Sequence, residues 1–130
     1  GPYRDELKEK ARAEGLDQTV KFLGWIDNDS PEMKKVYGKA SIFISASYFE
    51  SFGLTILEAV SAGCYPLVSD IGGHRFILKD DRYFFEKQNV EDLRIKLRHL
   101  ISHRLSAPKI SLERFDWDHV IKDYMSLLQQ

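Results

Sequence analysis

Two carboxylates stand on either side of a short turn in this 130-residue chain, Glu50 before it and Glu58 one turn inside the helix that follows. The turn runs Ser51-Phe52-Gly53, and the helix reads Leu54-Thr55-Ile56-Leu57-Glu58-Ala59-Val60-Ser61-Ala62. The opening amides of a helix, here near Phe52 to Thr55, have no partner within it, and the helix dipole favours an anion at that end. Gly53 lets a ligand come close to the backbone. Phosphate is the anion this pattern suggests first. Glu58 is the only charge on its helix. Helical side chains lean toward the N-terminus, so its carboxylate can reach back toward whatever the amides hold. A carboxylate accepts hydrogen bonds and suits hydroxyl groups such as those of a ribose or a hexose. The spacing alone equally fits a Glu58 that merely lies on a solvated helix face, since Glu6 and Glu14 share the same separation on a plainly polar helix.

Holding these groups takes a scaffold, and helix and strand patterns alternate along the chain. Tyr3, Leu7 and Ala11 fall at i, i+4 and i+8, with Glu6 and Lys10 as an i,i+4 pair, which predicts a helix over 3–14 stopped by Gly15. Thr19-Val20-Lys21-Phe22-Leu23 reads as a short strand ending at Gly24. Ser30 as N-cap and Pro31 as first helical residue start a helix to about Ala40. Ser41 to Ser45 is a second strand, apolar enough to be buried. Leu54 to Ala62 is a helix closed by Gly63, and Tyr65 to Ser69 a third strand. Gly72-Gly73 opens a short helix through Leu78, and Tyr83-Phe84-Phe85 is a fourth strand. Helices follow from Asn89 or Val90 to about Leu105 and from Trp117 to Leu128. This alternation predicts an α/β fold, a Rossmann-like parallel sheet flanked by helices. Ligands of such sheets bind beyond the carboxyl ends of the strands. That edge collects the loops 24–30, 46–53 and 70–74.

Composition removes several classes of function. Nineteen basic against twenty acidic residues leave a net charge of -1, which argues against a general electrostatic grip on nucleic acid or an anionic membrane. One cysteine, Cys64, rules out an internal disulfide framework and suits a reducing compartment. No apolar run approaches the ~20 residues of a membrane-spanning helix. Cys64, between a helix-stopping glycine and a strand, reads as a small buried thiol. His99 and His103 have i,i+4 spacing but no third ligand nearby in sequence, so no metal site is expected. Their helix carries Arg94, Lys96, Arg98 and Arg104 on a solvated face, with Leu93, Leu97, Leu100, Ile101 and Leu105 as its core stripe. His74 either reaches the ligand edge or fills a loop.

The wider pattern is more specific. Glu50-Ser51-Phe52-Gly53-Leu54-Thr55-Ile56-Leu57-Glu58-Ala59, then Gly63-Cys64-Tyr65-Pro66-Leu67-Val68-Ser69-Asp70 and Gly72-Gly73, closely resembles the donor-binding half of family-4 retaining glycosyltransferases of GT-B fold. The Phe22-Leu23-Gly24 strand end and the tail Phe115-Asp116-Trp117 are similar to that family too, so the resemblance runs from about Tyr3 to Leu128. It implies that Glu50 is the catalytic residue that contacts the donor sugar and that Glu58 holds the nucleotide ribose. It also implies that the amides of Phe52, Gly53, Leu54 and Thr55 hold the diphosphate, with Ser51 beside them among the donor-binding residues. Gly24-Trp25-Ile26 would contact the base, chiefly through the main chain at Ile26. Many relatives carry Pro-Glu shortly after the Gly-Gly turn where this chain has His74-Arg75-Phe76, which leaves the contacts of that turn unassigned.

The activity so implied is transfer of a hexose from a nucleoside diphosphate sugar to an acceptor hydroxyl with retained anomeric configuration, without cofactor or metal. The family neutralises the diphosphate with an Arg and a Lys that lie upstream of residue 3. The acceptor, whether glycan, lipid-linked or a small molecule, belongs to an N-terminal domain also outside this stretch, and no nucleic acid partner is implied. We expect a cytoplasmic enzyme, peripheral to a membrane in its full-length form. Gly1-Pro2 reads as the remnant of a cleaved expression tag, and 3–130 as one nucleotide-sugar-binding domain of a larger enzyme, inactive alone. In the family's sheet two upstream strands separate the strand at 20–23 from that at 42–45. Here either those two pair directly through a right-handed crossover, or partner chains complete the sheet in a homo-oligomer. Two other functions stay open at this point: a nucleotide-binding sensor and a non-catalytic protein-interaction domain.

Overall fold

The computed structural model describes residues 2–28, 30–103, 105, 107, 111, 115 and 116. Its elements are α1 (Arg4–Ala13), α2 (Pro31–Lys39), β1 (Ile42–Ser45), α3 (Leu54–Ser61), β2 (Tyr65–Ser69), α4 (Gly72–Ile77), a 3-10 turn (Asp81–Tyr83), β3 (Phe84–Phe85) and α5 (Val90–His103). The helix expected over Trp117 to Leu128 lies outside the described residues. The chain forms two compact units, Gly1–Met33 and Lys34–Gln130, and α2 runs from one into the other.

In the first unit α1 ends where Gly15 was expected to stop it. Gly15 takes a φ of +70°, the Gly15 amide donates to the Arg12 carbonyl and the Leu16 amide to that of Ala11. This paired closure suits a residue without a Cβ. The start of α2 also follows its sequence signal: Ser30 Oγ accepts from the Met33 amide at 3.1 Å and donates to the Asp27 carbonyl at 2.6 Å.

The strand expected over Thr19 to Leu23 does not form. The Leu16 carbonyl accepts the amides of both Thr19 and Val20, so the chain is turning where the strand should begin. Val20 and Leu23 remain 40% and 53% exposed. An apolar run becomes a strand only when another strand takes up its amides and carbonyls. Direct pairing of 20–23 with β1 is therefore also absent: among the described residues β1 pairs with β2 alone.

The second unit holds a three-stranded parallel sheet of order β1-β2-β3. Ile42 to Ser45 stand opposite Tyr65 to Val68, and Val68 and Ser69 opposite Phe84 and Phe85. All five residues of β2 are buried, as a central parallel strand covered on both faces must be. Pro66 is tolerated there for a local reason. The Tyr65 amide points to the Ser41 carbonyl beyond β1, so the next residue faces the β3 side, where the ladder begins only at Val68. Around this strand pack Ile56 and Val60 of α3, Ile77 of α4, Leu78, Tyr83, Phe84, Phe85 and Leu100 of α5.

The sequence reading of the core stripe around α5 is corrected in part. Leu93, Leu97 and Leu100 pack on the core as expected, but Ile101 and Leu105 are 62% and 46% exposed. The stripe is narrower because β3, the strand α5 covers, is only two residues long. The helix is seated by Lys96, whose Nζ donates to the Phe84 carbonyl at 2.7 Å, and capped by Asn89, which accepts the Asp92 amide at 2.9 Å. Cys64 is fully buried, its thiol 3.4 Å from the Tyr37 and Ala40 carbonyls, and burial pushes its pKa up.

Candidate functional site

The loop leaving β1, the start of α3 and the turn leaving β2 meet at the carboxyl edge of the sheet. Gly53 is the N-cap of α3 with a φ of +79°, and its carbonyl accepts the Ile56 amide at 2.9 Å. It is buried, and a Cβ built on it would stand 3.1 Å from Ile77 Cδ1 and 3.3 Å from Ile56 Cδ1. The backbone angle calls for glycine here, and a Cβ would in addition crowd the tips of Ile77 and Ile56.

Glu50 is half-buried, and its carboxylate turns back onto the chain. Oε1 accepts from the Ser51 amide at 3.0 Å and the Phe52 amide at 3.4 Å. The turn thus gathers two N–H groups on one anionic oxygen, the kind of concavity that binds oxyanions. Leu54 and Thr55, the first residues of α3, are exposed. Phe52 lies against the rings of Phe76, at 5.6 Å, and Phe115, at 5.9 Å.

Glu58 is half-buried and held from another helix. The Tyr37 hydroxyl of α2 donates to its Oε2 at 3.2 Å. Burial, and then the neighbouring Glu58 carboxylate, push the Tyr37 phenol up to about 12. The reading of Glu58 as a mere surface charge is thereby set aside. Tyr37 carried no sequence signal: an aromatic in a short helix is ordinary core material until its hydroxyl has a partner.

Behind the loop lies α4. A Cβ built on Gly73 would collide with the Glu50 carbonyl, whose carbon would stand 2.7 Å away, so the Gly-Gly turn presses directly on the Glu50 backbone. Gly72, by contrast, has nothing within 4 Å of where its Cβ would be. His74 is 1% exposed and faces inward, so it does not reach the ligand edge. Its Nδ1 lies 2.7 Å from the Ser69 carbonyl and its Nε2 3.4 Å from Ser45 Oγ. Arg75 points away from the loop, donating to both oxygens of Asp70, at 2.6 and 2.7 Å, and to Asp81 at 2.7 Å, with its guanidinium 4.2 Å above the Phe84 ring. Asp70 is held below the usual carboxylate range mainly by the bonds from Arg75.

Seven of the sequence-derived site residues, Glu50 to Thr55 and Glu58, share this loop and helix. Gly24 and Ile26 belong to the first unit. There Gly24 takes a φ of +82°, with the Arg4 guanidinium 3.6 Å from where a Cβ would lie, and Trp25 is 94% exposed. Among the described residues, no group of three or more His, Cys, Asp or Glu is placed to hold a metal ion, and His99 and His103 stack with ring centroids 4.1 Å apart.

The sequence model of the family described as Glycosyl transferases group 1 matches residues 1–114. The chain is similar to an uncharacterized glycosyltransferase of Methanocaldococcus jannaschii, 27% identical over 98% of this chain and 34% of that protein. It is equally similar, at 27% over 97% of this chain and 34% of the relative, to GDP-mannose:cellobiosyl-diphosphopolyprenol alpha-mannosyltransferase of Komagataeibacter xylinus. The catalytic domain of cholesterol-alpha-glucosyltransferase from Helicobacter pylori has the same fold, with a TM-score of 0.62 and 27% identity over 77% of this chain and 62% of that one. The chain spans about a third of the length of these curated relatives.

Proposed function

This chain belongs to the glycosyl transferases group 1 family and is a GT-B glycosyltransferase domain, and from that premise we propose that it binds a nucleoside diphosphate sugar for retaining transfer of a hexose to an acceptor hydroxyl. The observation that carries the proposal is the turn before α3, where the Ser51 and Phe52 amides already converge on a carboxylate oxygen. A diphosphate oxygen presents the same charge and the same acceptor geometry. It replaces Glu50 Oε1 at these amides, with the α3 dipole behind them, and the released carboxylate turns to the donor sugar.

Glu58, fixed by Tyr37, accepts from the ribose hydroxyls. Departure of the nucleoside diphosphate is then assisted by oriented dipoles that need not reorganise during the reaction. Charge compensation comes from these dipoles and from basic side chains elsewhere in the full-length protein, without a metal ion. The K. xylinus relative carries a sugar nucleotide in its name, which agrees with this reading. The acceptor is held by the rest of the protein, so this stretch alone binds donor weakly and turns nothing over.

Titration of UDP, GDP, ADP and their sugars into the full-length protein, followed by a transfer assay with the sugar that binds, tests the proposal. Binding with transfer supports it. Binding without transfer or hydrolysis favours a nucleotide sensor, and no binding at all favours an interaction domain.

A further inference from the structure

Four residues beneath the Glu50 loop are linked by hydrogen bonds into a circuit that closes through the main chain of Ser47 and Ser69. The Ser69 carbonyl can only accept, so the His74 Nδ1 that stands 2.7 Å from it carries the proton. On the other side of the ring, Nε2 lies 3.4 Å from Ser45 Oγ. Ser45 Oγ in turn shares a hydrogen bond with Ser47 Oγ at 3.2 Å. Ser69 Oγ donates at 2.6 Å to the Ser47 carbonyl and closes the circuit. Ser45 ends β1, Ser47 lies in the loop, Ser69 ends β2 and His74 sits in α4. His74 and Ser69 are each 1% exposed, and no buried side-chain polar atom among the described residues lacks a partner.

We propose that His74 is a positioning residue for the transfer reaction: through Ser69 and Ser47 it fixes the backbone that delivers Glu50 to the donor sugar. The inference rests on the role given to Glu50 above. Three contacts converge on that segment from the same side. The ring holds Ser47, the Gly73 backbone abuts the Glu50 carbonyl, and Ile77 packs against Gly53. Among the described residues the Glu50 carboxylate is bonded by the amides of Ser51 and Phe52, so its place relative to a bound sugar is set by the main chain between Ser47 and Gly53. Several hydrogen bonds that join the same few residues hold their members in one arrangement more firmly than any one of them would. A misplacement of about 1 Å at a reacting group costs on the order of a hundredfold in rate. The expected effect of loosening the ring, a partial displacement, is smaller.

The test compares His74→Ala, His74→Asn and Ser69→Ala in the full-length protein. Asn places an amide N–H near the position of Nδ1 and can still donate to the Ser69 carbonyl. His74→Ala and Ser69→Ala should lower kcat for transfer about tenfold, weaken UDP or GDP binding by a smaller factor through the Ser51 and Phe52 amides, and speed hydrogen exchange of amides 48–52 without changing that of Leu67. His74→Asn should recover most of kcat. Unchanged exchange at 48–52, or equal acceleration at Leu67, overturns the inference, as does a kcat that stays put while the loop loosens. If the unsubstituted protein shows no transfer, the reading of the site has failed, and hydrogen exchange alone decides whether His74 holds the loop.

Discussion

Glu50 and Glu58 flank the same turn, yet they are held in opposite ways. Glu58 sits within α3 and takes a hydrogen bond from Tyr37, a side chain 21 positions away on another helix. Glu50 takes its bonds from the two amides that directly follow it, while the backbone beneath it is pinned by the α4 turn. One carboxylate is fixed by its side chain, the other by its main chain. A group that recognises an unchanging part of a ligand benefits from the first arrangement. A group that must give up its resting partner and meet a reacting sugar needs the second.

The contrast is most sharply broken at the glycines of the α4 turn. Gly73→Ala drives a Cβ into the Glu50 carbonyl and should destabilise the fold by about 3 kcal/mol, the upper end for overpacking. Gly72→Ala meets open space and should raise stability by roughly 0.5 kcal/mol. Urea unfolding of the two variants reads both signs at once. Next in size is Glu58→Gln. Loss of a charge-assisted bond to ribose should weaken nucleoside diphosphate binding by about 1.5–3 kcal/mol, measured by calorimetry. Unchanged affinity would leave Glu58 as a partner of Tyr37 with no part in binding the nucleotide.

Tyr37→Phe should follow with about 1 kcal/mol of lost nucleotide affinity, since Glu58 keeps its charge but loses its anchor. A further effect concerns pH. The phenol of Tyr37 is raised from 10.0 to about 12, so its protonated form is the one the fold favours. Its contribution is full below pH 10 and is lost as pH climbs toward 12. Tyr37→Phe should therefore shrink the alkaline loss of stability. A part remains from Tyr65 and Tyr83, which burial also raises.

How far the sequence could be read depended on whether a signal was local. Gly15 and Gly63 stop their helices through the same pair of terminal hydrogen bonds, because that closure involves only residues within five positions. Ser30 and Asn89 cap by equally local contacts. Tyr65 to Ser69 and Thr19 to Leu23 looked alike as apolar runs. The first found strands on both sides and the second found none, a difference that no property of either run contains. In the site, Gly53 and the glutamate spacing were legible. The Tyr37 bond and the Ser45–Ser47–Ser69–His74 ring were not, since each joins side chains that only the fold brings together.

The central claim is that the two glutamates divide the donor, Glu58 taking the nucleotide and Glu50 the sugar. Its most direct test is Glu50→Ala in the full-length protein, assayed both for transfer and for affinity toward the sugar-free nucleoside diphosphate. The account predicts that turnover falls at least about tenfold while nucleotide affinity stays the same or rises slightly, because the carboxylate no longer occupies the Ser51 and Phe52 amides. Turnover that is unaffected while nucleotide affinity drops would contradict it and exchange the two roles.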